Sequence, residues 1–135
     1  MLRLLLVFVL IPMTLVGCGK SQTPEQKVQD GNAKIARMNE ISRSVGSAYG
    51  ITLASSLSES TVSSENDFMI DRLTPAQLRD LQAQAQEFRS LAGDVINIIN
   101  SGDVTYGDRS TLDRAARTAD NVLSAVAVKL AAKAA

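Results

Sequence analysis

Residues 74–100, TPAQLRDLQAQAQEFRSLAGDVINIIN, decide the fold. Thr74 is an N-cap residue, Pro75 suits the first helical position, and Gln77 stands where a capping box needs it. Behind this start, Leu78, Leu81, Ala85, Phe88, Ala92, Val95 and Ile99 follow in steps of three and four. That spacing lines one side of a helix, and Leu91 and Ile96 widen the seam into a core-facing face. Phe88 sits at its middle. Asn100-Ser101-Gly102 stops the helix, because glycine adopts the left-handed turn at little cost. Asp80, Glu87 and Asp94 recur every seven residues away from the seam. Residues seven apart lie about 10 Å apart along the axis, too far to share one ion, so they are expected as a solvated face.

The same start signal appears upstream as Thr23-Pro24-Glu25-Gln26. Val28, Ile35, Met38, Ile41, Val45, Ala48, Tyr49 and Leu53 then share a helical side, which predicts a long helix reaching Leu53. Gly31, Gly46 and Gly50 weaken it, each by about 1 kcal/mol relative to alanine. Ser42, Gly46, Gly50 and Ala54 fall four apart beside the apolar stripe and would form a groove of small residues. Such a groove suits close helix packing within the chain or contact with a partner.

Downstream, Asp103–Gly107 reads as a connection, with Val104 and Tyr106 as lids on the core. Asp108 or Ser110 would cap a final helix whose stripe is Leu112, Ala116, Ala119, Leu123, Val126 and Leu130, with Val122 beside it. Lys129 and Lys133 suit its C-terminal dipole. Val128 and Ala131 fall off the stripe, where helix propensity suffices.

Between the first two helices the composition turns to serine, threonine and acid. Ser55–Leu73 is long for an unstructured connection, and long connections are often functional. Ser64 would cap one short extra helix near 65–72 carrying Phe68, Met69 and Leu73. Glu59, Glu65, Asp67 and Phe68 are the expected partner-facing residues; the alternative is a solvated linker that lets helices pair. Three long helices with polar connections predict an all-α fold, an antiparallel three-helix bundle over residues 24–135.

Composition narrows the function. Fourteen basic residues balance fourteen acidic ones, so no charge excess points to nucleic acid. Histidine is absent, removing the commonest general base and the usual zinc ligand. There is no glycine-rich phosphate loop and no Gly-x-Ser-x-Gly elbow. The serines cluster without a partner base and read as turn residues. A pair of carboxylates cleaving a glycan needs a cleft between them, for which a narrow bundle has little room. The reading is non-catalytic, without metal or cofactor.

The N-terminal segment has the anatomy of a secretory signal. Arg3 precedes the apolar run Leu4–Ile11, Pro12 interrupts it, and small residues lead to Cys18. A membrane span needs about 20 apolar residues, more than this segment offers. The ending Leu15-Val16-Gly17-Cys18 resembles the lipobox of bacterial lipoproteins. That resemblance implies cleavage after Gly17, a diacylglycerol thioether on Cys18 and an N-acyl lipid on the new amino terminus. The only cysteine would then carry lipid, leaving none for a disulfide. Residues 1–17 would be the cleaved signal and residues 18–23 a lipidated cysteine with a short tether, reaching about 3.5 Å per residue when extended. Gly19, where many enteric-type lipoproteins destined for the inner membrane have aspartate, implies the periplasmic face of the outer membrane.

These expectations describe a small interaction or structural lipoprotein of the envelope, with a protein partner. An inhibitor, immunity or exclusion protein acting through Ser55–Leu73 is the alternative, and a carrier of a small apolar ligand is a third. The alanine-rich core disfavours the carrier.

Overall fold

The computed structural model describes residues 23–55, 57–102 and 109–134. They form four helices: α1 (Pro24–Tyr49), α2 (Glu59–Ile70), α3 (Pro75–Asn100) and α4 (Arg109–Ala134). The described residues contain no strand, so the expected all-α class holds. The three long helices are joined by a fourth, where one short extra helix near 65–72 was expected. It is a full twelve-residue helix that begins six residues earlier, so the domain is not a simple three-helix bundle. Ser58, rather than Ser64, caps it: its side chain accepts the Thr61 N–H at 3.3 Å. A serine-rich segment can still be helical when its few inward positions recur at helical spacing, as Val62, Asn66 and Ile70 do here.

Both Thr-Pro-x-Gln starts form the capping boxes expected of them. Thr23 and Thr74 accept the Gln26 and Gln77 amides, and each glutamine side chain returns the bond to the cap backbone at 2.9 Å. α3 is the spine. It buries Leu78, Leu81, Ala85, Phe88, Ala92, Val95 and Ile98, and packs against both α1 and α4. Ile99 is only half-buried. α4 supplies Leu112, Ala115, Ala116, Ala119, Val122 and Val126; α1 supplies Met38, Ile41 and Val45. Ala85, Ala92, Ala115, Ala116 and Ala119 share this core with Phe88, and side chains this small let the helices approach closely.

Contacts between the helices give their directions. Lys34, Arg37 and Tyr49 of α1 meet Asp94, Glu87 and Asp80 of α3, so these helices are antiparallel. Arg89 of α3 meets Asp120 of α4, and Asn100 meets Arg109, another antiparallel pair. α2 differs. Glu59 meets Arg117 and Asp71 meets Lys129, so α2 runs parallel to α4.

The chain achieves this by reversing direction once without a helix. α1 ends at Tyr49, four residues short of the expected Leu53. Gly50 (φ 68°) caps it in the left-handed conformation, its N–H bonded to the Gly46 carbonyl. From there the backbone runs back alongside α2, burying Ile51 and Leu53 in the core. At the far end of α3, Ser101 caps the helix and Gly102 (φ 83°) makes the turn, as expected for Asn100-Ser101-Gly102.

The acidic heptad of α3 is exposed, as expected of a solvated face, but it lies beside α1 rather than away from the seam. Asp80, Glu87 and Asp94 are accessible but not free. Asp80 accepts the Tyr49 hydroxyl, Glu87 takes a two-point contact from Arg37 at 2.6 and 2.9 Å, and Asp94 lies 3.6 Å from Lys34. Their spacing forms a polar ladder beside the apolar seam between α1 and α3.

Candidate functional site

α2 presents the surface most able to meet another molecule, and its attachment explains why. Its inward face has one polar residue in the middle, Asn66, only 3% exposed. The Asn66 amide makes a complementary pair with the returning backbone: Oδ1 accepts the Thr52 N–H and Nδ2 donates to the Thr52 carbonyl, both at 2.8 Å. That pair satisfies backbone groups that no helix or strand partner serves. Leaving such groups unpaired when buried costs about 1–3 kcal/mol each. Val62 and Ile70 flank the pin and reach the core.

Charged contacts hold the ends of α2 to α4. Glu59 accepts the Arg117 Nε at 2.8 Å, and Asp71 pairs with Lys129. The Arg117 hydrogen bond holds the Glu59 carboxyl below its ordinary range. Lys133 donates to the Leu73 carbonyl just beyond α2. These groups are accessible, and such pairs contribute at most about 1 kcal/mol each.

The outer side of α2 is polar apart from Phe68, which is 58% exposed. The Arg72 guanidinium lies 4.5 Å from the ring centre. Two open grooves flank the helix. One, of about 430 Å³, is lined by Gly50, Ser64, Glu65, Phe68 and Met69. The other, of about 410 Å³, lies between α2 and α4 beside Asp67, Ile70, Asp71, Ser124, Ala125, Val128 and Lys129. Val128 is 66% exposed, as its place off the stripe foretold, and Leu57 at the foot of α2 is 50% exposed.

The sequence-derived candidates fall into three groups. Cys18, and the connection with Val104, Tyr106 and Asp108, lie outside the described residues. Ser42, Gly46, Gly50 and Ala54 do not share one helical face, because the helix ends before Gly50. Ser42 is half-buried, whereas Gly46, Gly50 and Ala54 are accessible. A Cβ at Gly46 would lie 3.7 Å from the Ile51 carbonyl, so the backbone nearest this glycine is the chain's own return segment. Of the loop candidates, Glu59 is committed to Arg117, whereas Glu65, Asp67 and Phe68 are exposed, Glu65 and Phe68 on the groove beside Gly50 and Asp67 on the groove toward α4. Asn66, which fixes α2 in place, was passed over because nothing distinguishes it locally from its serine-rich surroundings.

Among the described residues there is no group of three or more His, Cys, Asp or Glu side chains placed to hold a metal ion. No described helix is long and apolar enough to cross a membrane. Every buried side-chain nitrogen and oxygen among the described residues has a hydrogen-bond partner. Comparison with protein-family models, curated proteins and solved structures finds no match to this chain. Its function must be read from its own residues.

Proposed function

We propose that this chain is a lipid-anchored, non-catalytic interaction protein of the bacterial envelope. The single observation carrying the proposal is the run Leu4–Ile11 followed by Leu15-Val16-Gly17-Cys18, with its likeness to a lipobox. Cys18 would carry diacylglycerol and an N-acyl chain. Several acyl chains bind far more durably than one, which by itself gives only marginal attachment. Gly19 favours the outer membrane, with the helical domain on its periplasmic face.

The fold supports the reading in two ways. Thr23 caps α1 five positions after Cys18, a span of about 17 Å at full extension, so the domain would stay near the bilayer. The accessible features are shallow grooves flanking a helix, which suit a macromolecular surface better than an enclosed small-molecule site. Absence of histidine and the pairing of Asp80, Glu87 and Asp94 with α1 also favour binding over catalysis.

Intact-mass measurement of the native protein tests the proposal. The expected species begins at Cys18 and carries hydrocarbon. Cys18→Ala should leave residues 1–17 attached and remove the lipid mass. An unmodified native chain retaining residues 1–17 would end the proposal.

A further inference from the structure

We infer that the outer face of α2 docks a positively charged amphipathic helix of a protein partner, with Phe68 as its apolar contact between Glu65 and Asp67. The inference deepens the proposed function and rests on it for setting alone; the docking chemistry comes from the described surface.

Phe68 is the one large apolar side chain exposed within α2 itself. Thr61 and Ser64, seven and four positions earlier, are small, exposed and on the same helical side. A second helix could therefore approach α2 closely below the ring. The groove beside Gly50, Ser64, Glu65 and Met69 offers it an apolar and polar edge together.

Charge chooses among occupants. Residues 59–70 include Glu59, Glu65 and Asp67 and no lysine or arginine. Asp71 follows directly, but Lys129 pairs with it and Arg117 pairs with Glu59. Among the described residues Glu65 and Asp67 make no ion pair; they lie three and one positions before Phe68, which at about 100° per residue sets them on either side of the ring around the helix. Arg72 already covers one face of that ring with its own guanidinium, so a partner's cations would meet Glu65 and Asp67 while its apolar row meets the rest of Phe68. A lysine- or arginine-flanked apolar row supplies both complements.

The same charges disfavour the other occupants. In a two-fold contact between copies, α2 against α2 would place Glu65 and Asp67 near their own equivalents. An anionic lipid surface would meet those carboxylates unfavourably as well. Position adds to this: Phe68 is level with residues near 126 of α4, roughly 25 Å along the helix from Arg109, at the pole away from Thr23.

The test uses the mature lipid-anchored protein in neutral phosphatidylcholine nanodiscs. It is titrated with a synthetic helix-forming peptide of leucine and lysine in heptad spacing, with empty discs as reference. Saturable binding should weaken about tenfold in Phe68→Ala and in the Glu65→Lys, Asp67→Lys double variant, the loss expected for a central contact. Phe68→Trp should restore it, and added salt should weaken it. The Phe68→Ala protein should keep its melting temperature, which separates lost docking from lost folding.

Equal binding by Phe68→Ala, or by a peptide with glutamate in place of lysine, overturns the inference. So does self-association that Phe68→Ala abolishes, which would make a second copy the occupant. Quenching of the Phe68→Trp indole by brominated lipid in anionic discs but not in neutral ones would assign the face to lipid and overturn it too. An unlipidated native chain would remove the proposed function while leaving the peptide result intact; unchanged peptide binding would do the reverse.

Discussion

Phe88 and Phe68 are the same residue in two helices and meet opposite fates. Phe88 is 1% exposed and central to α3, which touches both other long helices. Phe68 is 58% exposed on α2, a helix with one main helical neighbour and a polar pin. The spine is held by apolar area, whose effect grows with every buried methylene. α2 is held by direction-specific bonds at its middle and both ends. The difference teaches that a surface element can be placed accurately while contributing little to the core, leaving its outer residues free for binding.

The largest break in this contrast should come from Phe88→Ala. The ring is enclosed by a core that cannot fully collapse around the void, so the loss should be about 3–5 kcal/mol. A denaturant melt with an unchanged midpoint would show that the spine is not where stability resides.

Asn66→Ala should come next, at about 2–3 kcal/mol, because it strands the Thr52 N–H and carbonyl together. Its effect should be local. Hydrogen exchange should quicken in residues 50–70 before the amides of α3 respond. Uniform loosening would mean that α2 and the spine form one cooperative unit.

Gly50→Ala sharpens the same boundary with a cost of about 1–2 kcal/mol from its left-handed backbone. A Cβ there would also meet Met69 Cε at 2.7 Å, so the flexible methionine must shift. Gly102→Ala has similar backbone strain but, among the described residues, no neighbour within 4 Å. Paired thermal melts should therefore show the Gly50 variant as the less stable, and equality would remove the role of Met69.

Acid should produce a smaller effect. Arg117 holds Glu59, and Arg37 holds Glu87, below the ordinary carboxylate value of 4.5. Each pair therefore stabilises the fold above that pH, and the contribution disappears as pH falls through the lower folded values. Glu59→Gln should flatten part of the acid response at the α2 end alone. An unchanged acid profile in that variant would leave the Arg117 contact without thermodynamic weight.

Smallest of all should be Phe68→Ala, within about 0.5 kcal/mol of the parent protein, as for ordinary surface substitutions. A larger loss in a urea melt would place Phe68 with Phe88 rather than opposite it.

Much of the spine was legible because it is built from local rules. Thr74, Pro75 and Gln77 state where α3 begins, and the steps from Leu78 to Val95 state which face it buries. The ladder of Asp80, Glu87 and Asp94 was not legible, since its partners lie 31 to 60 positions away in the sequence. The end of α1 was missed for a related reason. Leu53 keeps the helical spacing, yet it reaches the core from the return segment, and only Gly50 hinted at a break. At the candidate site, exposed Phe68 beside Asp67 was foreseen, but Asn66 was not. Its role depends on a peptide group fourteen residues earlier, brought alongside by the reversal.

That reversal also sets the molecule's polarity. Because one leg of the path is travelled without a helix, Thr23 and Lys133 come to opposite ends, about 35–40 Å apart by helix length. On the proposed anchor at Cys18, a fluorophore attached at Lys133 would then stand off from the bilayer by nearly the full height of the domain. Energy transfer to a dye in the lipid would measure that height directly.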